Sequence, residues 1–454
     1  MDRLLIVSAD GHAGGRPEDY RDYIDPAYRD SLSALEAENQ KFLQFTTLSR
    51  ELDPAVLELV DDQNAIRGGG EDGGFDFARR IAELDREGVA AEIIHAGTQL
   101  CIQPFFSVVN QPYPVELRAA GARAFHRWLA DGMADHPSRM FGVAEPGPCH
   151  DMDATLRELR WCAEHGFRSV SAPGFTADPS LPPLWDRHFD RFWKTCEERE
   201  LVISVHAGWG HAQGMFWEFA RQFTEVVVGR DSSQVKSRMM EALETAEDSP
   251  HKLDMGPRRA LWQMMLGGVF DRFPGLKLVL TEVRSDWLPA TLAALDARHA
   301  RGDFRLRMKP SEYWRKNCYA TPSSIHRCEI EQRHEIGVDR LLFGTDYPHP
   351  EASWPNTLDW IRACFEDVGL QEARRLLGEN AVECYGLDRE ALAKIAERIG
   401  PPPETVLGRH AIDARRLEQF DKRAGLRRSA ERVDPGLIHA LVDEDLRALA
   451  SEAR

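Results

Sequence analysis

The eight cysteines of this 454-residue chain never stand as a Cys-x-x-Cys pair, which argues against a zinc knuckle or a dithiol redox centre. Scattered from Cys101 to Cys384, they read as reduced thiols of a cytoplasmic protein. No apolar run approaches the roughly 20 residues that cross a bilayer, and the N-terminus lacks a secretory pattern. Positive charge is in deficit: 57 Lys and Arg against 74 Asp and Glu leave a formal net charge of −17. Neither nucleic acid nor a membrane surface is therefore expected as a partner. Internal repeats and low-complexity tracts are also missing.

What is present is alternation. With 43% hydrophobic residues the chain can bury a large core. Strand-length apolar runs fall near 4–10, 89–95, 140–145, 168–172, 201–206, 276–282, 316–320 and 341–346. Amphipathic stretches near 76–87, 113–135, 152–165, 184–199, 258–273, 287–299, 324–336 and 356–368 separate or follow them. Strands alternating with helices predict an α/β fold, a (β/α)8 TIM-like barrel. Several runs are continuously apolar, as parallel strands covered by helices should be.

Three segments exceed a minimal barrel. Residues 13–75 and 207–257 both follow strands and are expected at the mouth as lids. Residues 389–454, with Pro401-Pro402-Pro403 and periodic Leu and Ala, predict a helical extension. The catalytic barrel is placed at 1–388, and a homodimer is one assembly the helical tail allows.

Four of the strand-like runs end in a residue that can bind metal: Ile6 to Asp10-Gly11-His12, Val202 to His206, Leu278 to Glu282 and Leu342 to Asp346. Each has a plain alternative. Asp10 suits a helix or turn cap, His206 a core histidine bonded to a carbonyl, Glu282 an ion pair with Arg284, and Asp346 a cap before Pro348. Their coincidence at strand ends favours a shared site, because active sites of parallel barrels form at the carboxyl ends of the strands. Asp346, His206 and Glu282 are the catalytic candidates. Asp10, His12, His206, Glu282 and Asp346 are the candidate ligands of a divalent transition metal, or of two. His95, ending Ile93-Ile94-His95, adds an imidazole as a further ligand or as a histidine facing substrate. Trp209, Phe216 and Trp217, with neighbouring Phe219 and with His211 and His349, are the candidate substrate contacts.

The motifs Asp10-Gly11-His12, Val205-His206-Ala207-Gly208, Phe270-Asp271-Arg272-Phe273-Pro274, Trp287-Leu288-Pro289, Phe343-Gly344-Thr345-Asp346-Tyr347-Pro348-His349 and Gly378-Glu379-Asn380-Ala381 stand in an order similar to that of the amidohydrolase superfamily. The resemblance is to the amidohydrolase-related branch that includes aminocarboxymuconate-semialdehyde decarboxylase, over roughly residues 4–388. It implies a TIM-like barrel with Asp10, His12, His206 and Asp346 as metal ligands. In hydrolytic members the last aspartate also takes a proton from metal-bound water.

The departures set the functional expectation. Ser169-Val170-Ser171-Ala172 offers no lysine for a bridging carbamate, and Glu282 stands where many relatives place a histidine. Three carboxylates with two or three imidazoles are closer to non-haem iron centres. A similar TIM-barrel branch works as di-iron monooxygenases on coenzyme A-linked substrates. The preferred expectation is therefore two Fe, with Zn or Mn as alternatives. It brings O2, an electron donor and a bulky apolar substrate, in one form a CoA thioester whose phosphates would meet Arg305, Arg307, Lys309, Arg315 or Lys316. The competing expectation is a metal-dependent hydrolase or non-oxidative decarboxylase acting on a small molecule.

Overall fold

The computed structural model describes residues 3–50, 54–174, 178, 180–214, 217, 250–349, 353–423 and 435–452. Most of the predicted insertion 207–257, including Phe216 and Phe219, lies outside the described residues, as does 424–434 of the extension.

Strands β1 (Ile6–Ala13), β2 (Val89–Ala96), β3 (Met140–Ala144), β4 (Phe167–Ser171), β5 (Val202–His206), β6 (Leu278–Thr281) and β7 (Cys318–Thr321) pair in sequence order, every pair parallel. Helices connect them, among others Phe77–Glu87, Val115–Met133, Met152–Glu164, Asp190–Glu198, Pro250–Leu266 and Leu288–Arg301. Asp76 and Asp151 cap two of these by accepting the backbone N–H three residues on. The stretch 324–336, predicted as one helix, is two short ones, Arg327–Glu331 and Arg333–Ile336.

The eighth predicted strand, 341–346, is not a regular strand. Its segment still joins β7 to β1: Leu342 N–H donates to Ala320 (2.9 Å), while Ala9 and His12 donate to Phe343 and Tyr347 (2.7 Å each). Two features interrupt the extended backbone. A Cβ on Gly344 would stand 2.9 Å from the Cβ of Asp10, so the chains approach closely there. Asp346 adopts φ 54°, in the left-handed region that a non-glycine residue rarely enters.

Side chains alternate across the sheet. Ile94, Ala144, Ile203, Leu278 and Leu280 pack in the large cluster with the helices. Ile93, Val143, Val202 and Val279 belong to a second cluster inside the barrel, which Ala381, Val382, Tyr385, Leu392 and Ala396 plug from the N-terminal ends of the strands. In β1 the register shifts between Ser8 and Gly11. That shift exchanges faces, so Leu5 and Val7 below it, and Asp10 and His12 beyond it, all serve the interior. The helix Pro435–Glu452 of the extension docks through buried Asp445, which accepts from Arg259 (2.7 Å) and from the indole of Trp262 (2.9 Å). No helix among the described residues is long and apolar enough to cross a membrane.

Candidate metal centre

Period-two alternation sends one residue from each strand end into the mouth. Val202, Ser204 and His206 share one face of β5, and His12 and His95 are register partners on β1 and β2. His12 stands in the middle. Its Nε2 is 3.2 Å from Asp346 Oδ1, 3.4 Å from Asp10 Oδ1 and 3.3 Å from His206 Nε2. The Nε2 of His206 lies 3.6 Å from Asp10 Oδ1 and 3.5 Å from Glu282 Oε2. Donor atoms held 2.0–2.2 Å from one ion stand roughly 3.0–3.6 Å from each other, so these spacings are the edges of a coordination shell.

The hydrogen bonds agree with that reading. Both carboxylate oxygens of Asp10 and Oδ2 of Asp346 are buried without a hydrogen-bond partner, a costly arrangement unless a cation completes it. His206 places Nδ1 on the carbonyl of Ala207 (3.1 Å), which leaves Nε2 with its lone pair toward the centre. His349 donates from Nδ1 to Asp346 Oδ1 (2.8 Å) and lies over the His12 ring, 4.4 Å between centroids. Asp10, His12 and His206 form one metal-competent group, and His12, Asp346 and His349 a second that shares His12. The residues present therefore fit a divalent cation.

Charge is unevenly held. Burial alone would raise both aspartates, but His12 and His206 bring Asp10 below the carboxylate range, and His349 and His12 do the same for Asp346. Glu282 goes the other way: burial, then the negative charge of Asp346, pushes it well above the usual range. Arg284, the ion-pair alternative for Glu282, pairs instead with Asp286 (2.6 Å) and lies 4.0 Å from Glu329. Glu282 itself has φ 55°. Two of the candidate ligands are thus held in strained backbone, as functional residues often are.

The remaining candidates distribute as follows. His95 is buried, 4.8 Å from the His206 ring and 5.7 Å from that of His12, with Nε2 unpartnered, and burial keeps it neutral. Trp209 is buried in the main cluster and donates its indole N–H to the carbonyl of Ala172 (3.3 Å). Trp217 donates to Glu38 (3.0 Å) of the helix Leu32–Arg50, so both predicted lid insertions meet at that carboxylate. His211 is part-exposed in the turn after β5. Phe216 lies outside the described residues.

Two groups escaped the sequence reading. Under the centre, buried Arg80 pairs with Glu92 and donates to the carbonyls of His12 (2.7 Å) and Gly73 (3.0 Å). A Cβ on Gly11 would come within 2.6 Å of Glu92, so only glycine leaves room for that pair. Glu145 directly follows β3, and its strand-end position was the signal that could have revealed it. It accepts from Ser171 Oγ (2.8 Å), and its N–H donates to His126 Nε2 (2.8 Å), whose Nδ1 faces Glu158 (2.7 Å).

Burial lifts Glu145 to about 7. The unfolded carboxyl titrates near 4.3, so the folded state binds this proton more tightly. The stability it confers is full below the unfolded value and is lost as pH rises through about 7. Glu145→Gln keeps the acceptor for Ser171 and should stabilise the metal-free protein at pH 8 by roughly 2–3 kcal/mol, with little change at pH 4.5. Thermal unfolding at both values checks this, and an equal shift at the two would refute it.

A parallel barrel with histidines and carboxylates converging at the carboxyl ends of its strands defines a metal-dependent barrel enzyme. The profile of the Amidohydrolase family matches residues 107–387, more than half of the chain, and the chain belongs to that family. It is 27% identical over 288 residues to gamma-resorcylate decarboxylase of Polaromonas sp. (strain JS666), a match covering 59% of this chain and 77% of that one. It is 24% identical over 329 residues to 2-amino-3-carboxymuconate-6-semialdehyde decarboxylase of Dictyostelium discoideum, covering 68% and 76%. Among solved structures it resembles dihydroxybenzoic acid decarboxylase of Polaromonas sp. JS666 with bound manganese and the inhibitor 2-nitroresorcinol, at TM-score 0.54 and 18% identity over 86% of this chain and 99% of that one.

These relatives overturn the monooxygenase expectation, and with it the support for two irons, O2, an electron donor and a CoA thioester. Three carboxylates with two or three imidazoles do not by themselves select iron, since the same donor types serve several divalent metals. Carboxylate-rich sets also suit manganese.

Proposed function

We propose that this chain is a metal-dependent, non-oxidative decarboxylase of small aromatic carboxylic acids. Asp10, His12, His206 and Asp346 hold one divalent ion, manganese or zinc. The observation that carries the reading is the His12-centred set, with donor spacings of 3.2–3.4 Å and the unpartnered oxygens of Asp10 beside it. Ser171 at the end of β4 supports a single ion, since its hydroxyl donates to Glu145 and no lysine stands there. The relatives named for decarboxylation support the choice of reaction.

When bound, the ion supplies positive charge that fixes an anionic substrate and stabilises charge developing on it. The chain's own work is proton supply. Replacing C–CO2⁻ by C–H releases CO2 and consumes one proton at the carbon. His349 is part-exposed and bonded to Asp346, so a proton can pass from solvent to His349, then to Asp346 and to the substrate. Glu282 and His95 line the same mouth and orient the ring, with Trp217 and His211 contributed by the segment after β5. The helix Pro435–Glu452 of the extension serves the catalytic barrel as a packed support through Asp445.

The test is CO2 release from gamma-resorcylate and a panel of hydroxybenzoates by manganese- and zinc-loaded protein, run in D2O. One deuterium at the former carboxyl carbon of the product is expected. Turnover of ester or amide substrates, with no CO2 from any acid, would return the chain to hydrolysis.

A further inference from the structure

A narrow cleft opens beside the metal centre, lined by Phe106, Arg118, Glu145, Pro146, Leu181 and the backbone of Gly174. Glu145 fixes its place: the carboxyl accepts from Ser171, Ser171 is the register partner of Ser204, and His206 lies two residues beyond on the same face. The free space suits a carboxylate or a water and not a ring.

Arg118 sits on the helix Val115–Met133 and is 9% exposed. Its Nε is buried with no hydrogen-bond partner, and the nearest carboxylate in ion-pair range among the described residues is Asp178, 4.0 Å away. Asp178 is engaged elsewhere, accepting from the backbone N–H and hydroxyl of Ser180 (2.9 and 2.6 Å). A guanidinium carries five donors in a planar fork that matches a carboxylate. Burying one with donors unused is costly unless a ligand completes it. Two other buried arginines near the mouth are held by close carboxylates, Arg80 by Glu92 together with two carbonyls and Arg284 by Asp286 (2.6 Å).

From this geometry we infer that Arg118 forms an anion subsite: it binds a second acidic substituent of the substrate, a carboxylate remote from the one that is lost. The inference rests on the decarboxylase reading and narrows its substrates to aromatic acids with two anionic groups. Phe106, Pro146 and Leu181 supply apolar walls at the ring edge, and Glu145 faces the incoming anion. Burial raises the Glu145 carboxyl to about 7, so below that pH it offers a hydrogen bond instead of repulsion.

The probes are isophthalate, with two carboxylates, and benzoate, with one, titrated calorimetrically into the manganese-loaded enzyme. Wild type should bind isophthalate about tenfold or more tightly than benzoate. Arg118→Gln should bring the two within about twofold, and Arg118→Lys, which keeps charge without the fork, should fall between. Equal preference in wild type and Arg118→Gln, or no isophthalate binding by wild type, overturns the subsite. Metal content and Tm of each variant exclude a folding defect, with Arg118→Lys as the better-tolerated change. Because binding is read without turnover, failure of CO2 release would sink the decarboxylase and leave the anion preference standing or falling by itself. Where an acid is turned over, Arg118→Gln should raise KM for diacids by a larger factor than for monoacids.

Discussion

Asp346→Asn should lower turnover by about 10³–10⁴-fold while the barrel stays folded. The substitution keeps the size of a fully buried side chain and removes its charge. It weakens the contact to His12 and breaks the proton path from His349. Metal content should fall with activity. Stability of the metal-free protein should fall modestly at neutral pH, because His349 and His12 hold Asp346 below the carboxylate range and the neutral amide loses that attraction. The decisive comparison is kcat, metal per chain and Tm on one preparation. A variant retaining a tenth of wild-type turnover with full metal would remove Asp346 from the centre.

Arg80→Met should cost about 3–5 kcal/mol of stability, since it leaves Glu92 charged and unpaired at zero exposure. The loss reaches the centre because Arg80 also holds the carbonyl of His12 and the loop at Gly73, and metal affinity should drop with stability. The double variant Arg80→Met, Glu92→Met removes both charges and should recover much of the stability, but not the grip on His12. Urea midpoints for the two singles and the double give the coupling energy. A single-variant loss under about 1 kcal/mol would mean that water reaches the pair.

The strand-end rule made the fold and most of the centre legible. Asp10, His12, His206, Glu282 and Asp346 all close apolar runs, and the structure brings them together. Extended to the run that ends at Ala144, the same rule would have named Glu145. Arg118 gave no such sign, because it sits one turn into a helix and reaches the cleft only through the way that helix packs. The bulge in β1 was equally hidden, since a change of register is set by the neighbouring strand. The chemistry was misread because one set of carboxylates and imidazoles serves several metals and several reactions, so residue types at strand ends do not choose among them.

The left-handed backbone at Glu282 and Asp346 has an evolutionary corollary. An L-residue with a side chain persists there against the local preference for glycine only while that side chain is needed. In barrels descended from this one that have abandoned the metal, these two positions should drift to glycine or asparagine early. Such a pair of replacements would mark a lineage whose chemistry has lapsed before any other ligand is lost.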